Sequence, residues 1–233
     1  MAESATSSIS VLHSLFHLIS FISFLYIFCW HFGSEAATLP QSQGFGWMFK
    51  FLTIWGFTFQ MIALLVSFVS DLFPQANRTS CLADDLSCAS FTMANVITVM
   101  FWCLLAITES PVDQNVQQGQ VFLRRPPLWI SLCVHLGNVI VAWIDILVSK
   151  RRFSKLSLRL ALLFGFLYCI WIQTCAIKNK EYPYPFLNEL PEPEGLLGMI
   201  FVGLLLVLSS FKAGKKASNT FRGACSGKVV KSH

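Results

Sequence analysis

The sequence predicts an all-α fold: a polytopic bundle of six transmembrane helices with the N- and C-termini both cytosolic. Three observations carry this. Six apolar stretches, Ile9–Trp30, Phe49–Ser70, Ala89–Ile107, Leu128–Ser149, Leu158–Ile177 and Gly195–Phe211, are each near the length of about 20 residues that crosses a hydrocarbon core. Three of them contain no Asp, Glu, Lys or Arg. Fourteen per cent of the chain is aromatic, with 22 Phe and 7 Trp, which suits lipid-facing surfaces and interfacial belts. At 233 residues the chain forms one helical membrane domain over residues 1–211, followed by a basic tail at 212–233 expected to be disordered and to lie near anionic headgroups.

Orientation follows from the basic residues. With six spans, the N-terminus, the second and fourth connections and the tail share one side. That side carries Arg78, the group Lys150, Arg151, Arg152, Lys155 and Arg159, and the tail residues Lys212, Lys215, Lys216, Arg222, Lys228 and Lys231. The other side has Lys50, Arg124, Arg125, Lys178 and Lys180. The charge of +5 is thus a positive-inside signature and calls for no nucleic-acid partner.

Each element has its own logic. Residues Met1–Ser10 hold no Lys or Arg, so the first run is a retained helix rather than a cleaved signal. Its His13 and His17 share a face, but no third ligand is near them in sequence, and interfacial histidines are expected. In the second run Lys50 snorkels to the headgroups and Asp71 marks a boundary. The connection after it holds the sequon Asn77-Arg78-Thr79, outweighed by the charge bias, and Cys81 and Cys88, which pair if that loop meets an oxidising compartment. The Gln-rich stretch Pro111–Pro127 links the third and fourth runs. Asp145 is expected to form an ion pair with the run Lys150-Arg151-Arg152. Tyr182–Glu194 has four prolines and favours extended or turn backbone, with Tyr182, Tyr184 and Phe186 as an interfacial aromatic shelf. Eight cysteines show no CxxC or Cys/His metal spacing, and Cys225 is a site open to acylation.

Polar groups inside hydrocarbon are costly and therefore candidates for function. Thr53 lies about six residues into the second helix and His135 about eight into the fourth, both counted from the same face; at about 1.5 Å per residue they sit at matched depth. A hydroxyl and an imidazole at one level are the parts of a nucleophile–base pair. His135 would take the proton of Thr53 as its hydroxyl attacks an ester, then activate the water that releases the acyl group. Thr53 read alone is equally a helix hydroxyl bonded to its own backbone, as Thr58 would be. Asp145 is too far along the helix to orient His135.

The segment Lys50-Phe51-Leu52-Thr53, followed by Gln60 and Asp71-Leu72, resembles the androgen-induced and androgen-dependent TFPI-regulating protein family of six-helix membrane threonine hydrolases. Pro127-x-Trp129 with His135, Phe101-Trp102 and Tyr184-Pro185-Phe186-Leu187 extend the resemblance. It implies a catalytic pair of Thr53 and His135 that hydrolyses fatty acid esters of hydroxy fatty acids. Where family members have Asn-His before the catalytic His, this chain has Ser131-Leu132. The expected activity is that of a lipid-ester hydrolase reached from the bilayer, without cofactor or metal, integral to the endoplasmic reticulum or plasma membrane. The alternative is a non-catalytic membrane regulator or scaffold, with both side chains as packing hydrogen bonds. A transporter is disfavoured, because no line of intramembrane acids or broken-helix repeat is present.

Overall fold

A computed structural model describes residues 2–108 and 126–229, with side chains for 11–106 and 126–223. Helix α1 (Ala2–Trp30) leads through a short helix, α2 (Ser34–Ala37), and 3-10 turns at Pro40–Ser42 and Trp47–Lys50 into α3 (Leu52–Leu72). Then follow α4 (Asn77–Thr108), α5 (Leu128–Leu132), a π-helical turn (Cys133–Gly137), α6 (Asn138–Val148), α7 (Lys155–Asn179), α8 (Pro185–Glu189) and α9 (Glu194–Val229). Among the described residues, six helices are long and apolar enough to cross a membrane, with α5, the π turn and α6 counting as one. No strand occurs among them.

Helix α4 is the centre of the bundle and packs on α3, α6, α7 and α9. Its small residues Ala89, Ser90 and Ala94 are buried, which lets neighbouring backbones come close where hydrophobicity alone gives lipid-embedded helices no reason to associate. Gly56 of α3 serves the same end, since a Cβ there would collide with Ile97 of α4. Apolar clusters, one around Phe57, Phe24 and Ile130 and another around Met93, Val96 and Ala161, fill the remaining interior.

Three boundaries differ from the sequence reading. Helix α4 starts at Asn77 rather than near residue 89, because Asp84 and Asp85 depress the hydropathy of its first turns without ending the helix. The sequon therefore lies in a first helical turn. Cys81, exposed, and Cys88, buried, stand about 10 Å apart along one helix and cannot pair. The segment after Phe211 continues as helix to Val229, so the expected disordered tail is replaced by an extension of α9, whose 36 residues span about 54 Å. In the proline-rich connection, Pro185 starts a short helix at a position where its missing N–H costs nothing. Arg124, Arg125 and most of the Pro111–Pro127 connection lie outside the described residues, as do Lys231 and the side chains of Cys225 and Lys228.

One residue ties the basic end of the bundle together. The Arg151 guanidinium donates to Asp145 of α6 through Nε at 3.1 Å and Nη2 at 3.0 Å, and to Ser67 of α3 at 2.7 Å. It also approaches Asp84 of α4 at 3.5 Å and His17 of α1 at 3.1 Å, and its carbonyl accepts from Ser218 of α9 at 2.5 Å. The ion pair expected at Asp145 is thus present. His17, expected at an interface, is instead 1% exposed and lies between Asp71, at 2.6 Å, and Asp145, at 3.0 Å. Burial would lower the Arg151 pKa; Asp145 and then Asp84 override it and hold the guanidinium above its ordinary value. Beside this group Ser154 caps α7 and donates to Asp85 at 2.5 Å.

Removing one partner leaves the other charge buried and unpaired. Asp145→Leu and Arg151→Leu are each expected to cost about 3–5 kcal/mol. Thermal unfolding in detergent checks this, and the double variant should lose less than the sum of the two.

Candidate active site

The start of α3 is fixed by hydrogen bonds to two other segments, α7 and the turn before α8, and by one from α3 itself. The Phe49 carbonyl accepts from the indoles of Trp55, at 2.7 Å, and Trp171, at 2.8 Å. The Lys50 carbonyl accepts from the Tyr168 hydroxyl at 3.0 Å, and the Leu52 N–H donates to the Tyr184 hydroxyl at 3.1 Å. The preceding turn needs Gly46, at φ +86, where a Cβ would also lie 2.7 Å from the Cys175 sulfur. Held this way, Thr53 occupies the second position of α3, in the turn whose first four N–H groups have no intrahelical acceptor. Ile54 and Trp55 donate their N–H groups to the Phe51 carbonyl.

His135 sits in the π turn. Such a turn carries one residue more than regular helix and disturbs the carbonyl ladder. Here the freed His135 carbonyl accepts from Thr98 of α4 at 2.6 Å. The imidazole is 9% exposed and stacks on Phe101 with ring centroids 3.4 Å apart and planes within 7°. Its Nδ1 has no hydrogen-bond partner among the described residues. One helical turn on, both polar atoms of the Asn138 side chain are likewise unpaired, as is Oε1 of Gln60, although the Gln60 amide donates to the Asn138 carbonyl at 3.0 Å.

Thr53 and His135 line one chamber of about 1790 Å³, larger than the roughly 300–1,000 Å³ of ordinary small-molecule pockets. No hydrogen bond joins the two side chains. Other polar residues on its wall include His31, Lys50, Tyr168, Tyr184, Glu181 and Glu189. Its apolar wall includes residues that also face outward: Trp102, Leu128 and Leu132 between α4 and α5, and Phe166 and Leu204 between α7 and α9. The chamber therefore reaches the lipid-facing surface on two sides. Lys50, expected to reach the headgroups, instead donates to the Gln43 carbonyl at 2.7 Å beside the chamber. Among the described residues no group of three His, Cys, Asp or Glu side chains could hold a metal ion.

Several of these groups escaped the sequence reading. His31 directly follows the first span, and the depth arithmetic applied to Thr53 and His135 places it at the same end. The unpaired Asn138 side chain and Oε1 of Gln60 carry no signal of their own until α3 and α6 are packed together.

The architecture is that of a multi-pass helical membrane protein built around a chamber open to lipid. Within that class, the chain belongs to the FAR-17a/AIG1-like protein family, whose model matches residues 12–219. This is the kinship the motifs around Thr53 and His135 suggested. A UPF0641 membrane protein of Schizosaccharomyces pombe is 22% identical over 182 residues, covering 76% of this chain and 77% of that protein. No solved structure matches.

His31 is 4% exposed, and burial lowers its pKa from the ordinary 6.5, the bond between its Nδ1 and the Ile27 carbonyl only partly opposing this. The folded protein thus holds His31 neutral where the unfolded chain already binds a proton. Its contribution to stability is complete above pH 6.5 and is lost as the pH falls below that value. Unfolding of His31→Gln, followed against pH, should show a shallower acid loss than wild type.

Proposed function

We propose that this protein is an intramembrane lipid-ester hydrolase in which Thr53 is the nucleophile and His135 the general base, cleaving fatty acid esters of hydroxy fatty acids. The observation that carries the reading is the shared chamber: a mostly apolar space of about 1790 Å³ has both Thr53 and His135 on its wall. A two-chain lipid ester fits such a volume. The unpaired Nδ1 of His135 adds support, because a buried imidazole that serves only packing would be expected to have both its polar atoms satisfied.

In this mechanism the ester carbonyl enters between the two side chains. The Thr53 Oγ1 attacks the carbonyl carbon while its proton passes to His135. The hydroxy fatty acid leaves as the C–O bond breaks and takes that proton, and the acyl group remains on Thr53. Water then attacks the acyl ester, His135 accepts its proton and returns it to Oγ1, and the second fatty acid departs. Without substrate the two side chains need not touch, since catalytic hydrogen bonds tighten in the complex. Phe101, stacked flat on the imidazole, opposes rotation of the ring about its Cβ–Cγ bond.

The test compares membranes expressing wild type, Thr53→Ala and His135→Ala at matched levels, with a fatty acid ester of a hydroxy fatty acid as substrate. Thr53→Ala should fall to background and His135→Ala by about 10²–10⁴-fold. Equal turnover in all three would overturn the assignment and favour a regulator or scaffold.

A further inference from the structure

Acyl transfer at Thr53 would create a negative oxygen in the middle of an apolar chamber, and hydrolases of this kind commonly meet that oxygen with preorganised donors. We propose that the Tyr184 hydroxyl is this donor, acting with the Thr53 N–H at the start of α3. This deepens the hydrolase reading above and rests on it.

The argument is an account of protons. The Tyr168 and Tyr184 hydroxyl oxygens are 3.1 Å apart, and both residues line the chamber. Each phenol has one proton. Tyr168 donates its proton to the Lys50 carbonyl at 3.0 Å. Tyr184 accepts from the Leu52 N–H at 3.1 Å, which uses a lone pair and no proton. The Tyr184 proton therefore has only the Tyr168 oxygen to point at, across a distance beyond the usual range of about 2.5–3.0 Å for O–H···O bonds. A bond that long and neutral is readily exchanged for one to an anionic oxygen, which is shorter and roughly twice as strong.

Position favours the same assignment. The group that Tyr184 caps, Leu52 N–H, belongs to the residue directly before Thr53. The first turn of α3 also presents the Thr53 N–H and the positive end of the helix dipole there. The Tyr184 ring is held by the edge of Phe51, with centroids 5.7 Å apart, and the chain at once enters α8 through Pro185. Burial pushes the Tyr184 phenol above its ordinary pKa, so it remains a hydrogen donor at neutral pH. No covalent bond to the hydroxyl changes during the reaction. The hydrogen bond moves from Tyr168 to the oxyanion as the carbonyl becomes tetrahedral, and returns when the carbonyl re-forms.

The experiment measures kcat and KM of the purified full chain in nanodiscs, for wild type, Thr53→Ala, Tyr184→Phe and Tyr168→Phe. Tyr184→Phe should lose about 10²–10³-fold in kcat with KM nearly unchanged, the signature of a donor used only in the transition state. Tyr168→Phe breaks the phenol pair and the bond to Lys50 but leaves the Tyr184 proton, and should retain at least about a tenth of the activity. Tyr184→Phe with wild-type kcat would overturn the proposal, as would equal losses in the two Phe variants, which would assign both phenols to packing. Turnover that does not depend on Thr53 would overturn the hydrolase reading and this inference with it. If Tyr184→Phe fails to fold, 3-fluorotyrosine at position 184 preserves shape while strengthening the donor: a changed kcat at constant KM supports the assignment, and an unchanged one overturns it.

Discussion

Much of the structure depends on how Arg151 is neutralised. A guanidinium buried at the end of a membrane bundle must find acceptors within the protein, and this one finds them on several helices at once. Its side chain contacts α1, α3, α4 and α6, and its carbonyl receives Ser218 from α9. Lipid provides no hydrophobic force to gather these helices. A charge that would be intolerable alone supplies the directional bonds that apolar surfaces cannot. The rotation of each helix is then set, because His17, Ser67, Asp84 and Asp145 must all turn toward one point. With that rotation set, Thr53 and Gln60 on α3 and His135 and Asn138 on the fourth span face inward too.

The number of spans and the matched depth of Thr53 and His135 were legible because both depend on length and rise along an axis. What depends on rotation about the axis was less so. The ion pair of Asp145 was foreseen from the adjacent basic run, yet the choice of Arg151 over Lys150 and Arg152, and the part played by His17, required the helices to be packed. The early start of α4 was hidden for a related reason: hydropathy registers Asp84 and Asp85 as the end of a span, although both are accommodated beside the Arg151 group. The extension of α9 was missed because a basic, Ser-bearing composition reads as solvated chain whether or not it is helical.

The candidate site shows the same division. The motif around Thr53 pointed to the hydroxyl and the depth argument to His135, and the structure puts both residues on the wall of one chamber. The π turn that carries His135 leaves no mark in composition, since Cys133–Gly137 reads as ordinary helix. Tyr184 was read as part of an aromatic shelf, a reading that concerns its ring and is silent about its hydroxyl. Where a phenol proton points is decided by a neighbouring segment, here the Lys50 carbonyl that accepts and the Leu52 N–H that donates, and these come from a different part of the chain.

The bundle is gathered at one end and hollow at the other. Arg151 and its partners cross-link the helices on the basic side, whereas the opposite half encloses a space of about 1790 Å³. Resistance to bending is divided in the same way, because an element yields where it has fewest neighbours. Lateral pressure from the surrounding lipid therefore meets a rigid stem and a compliant cup.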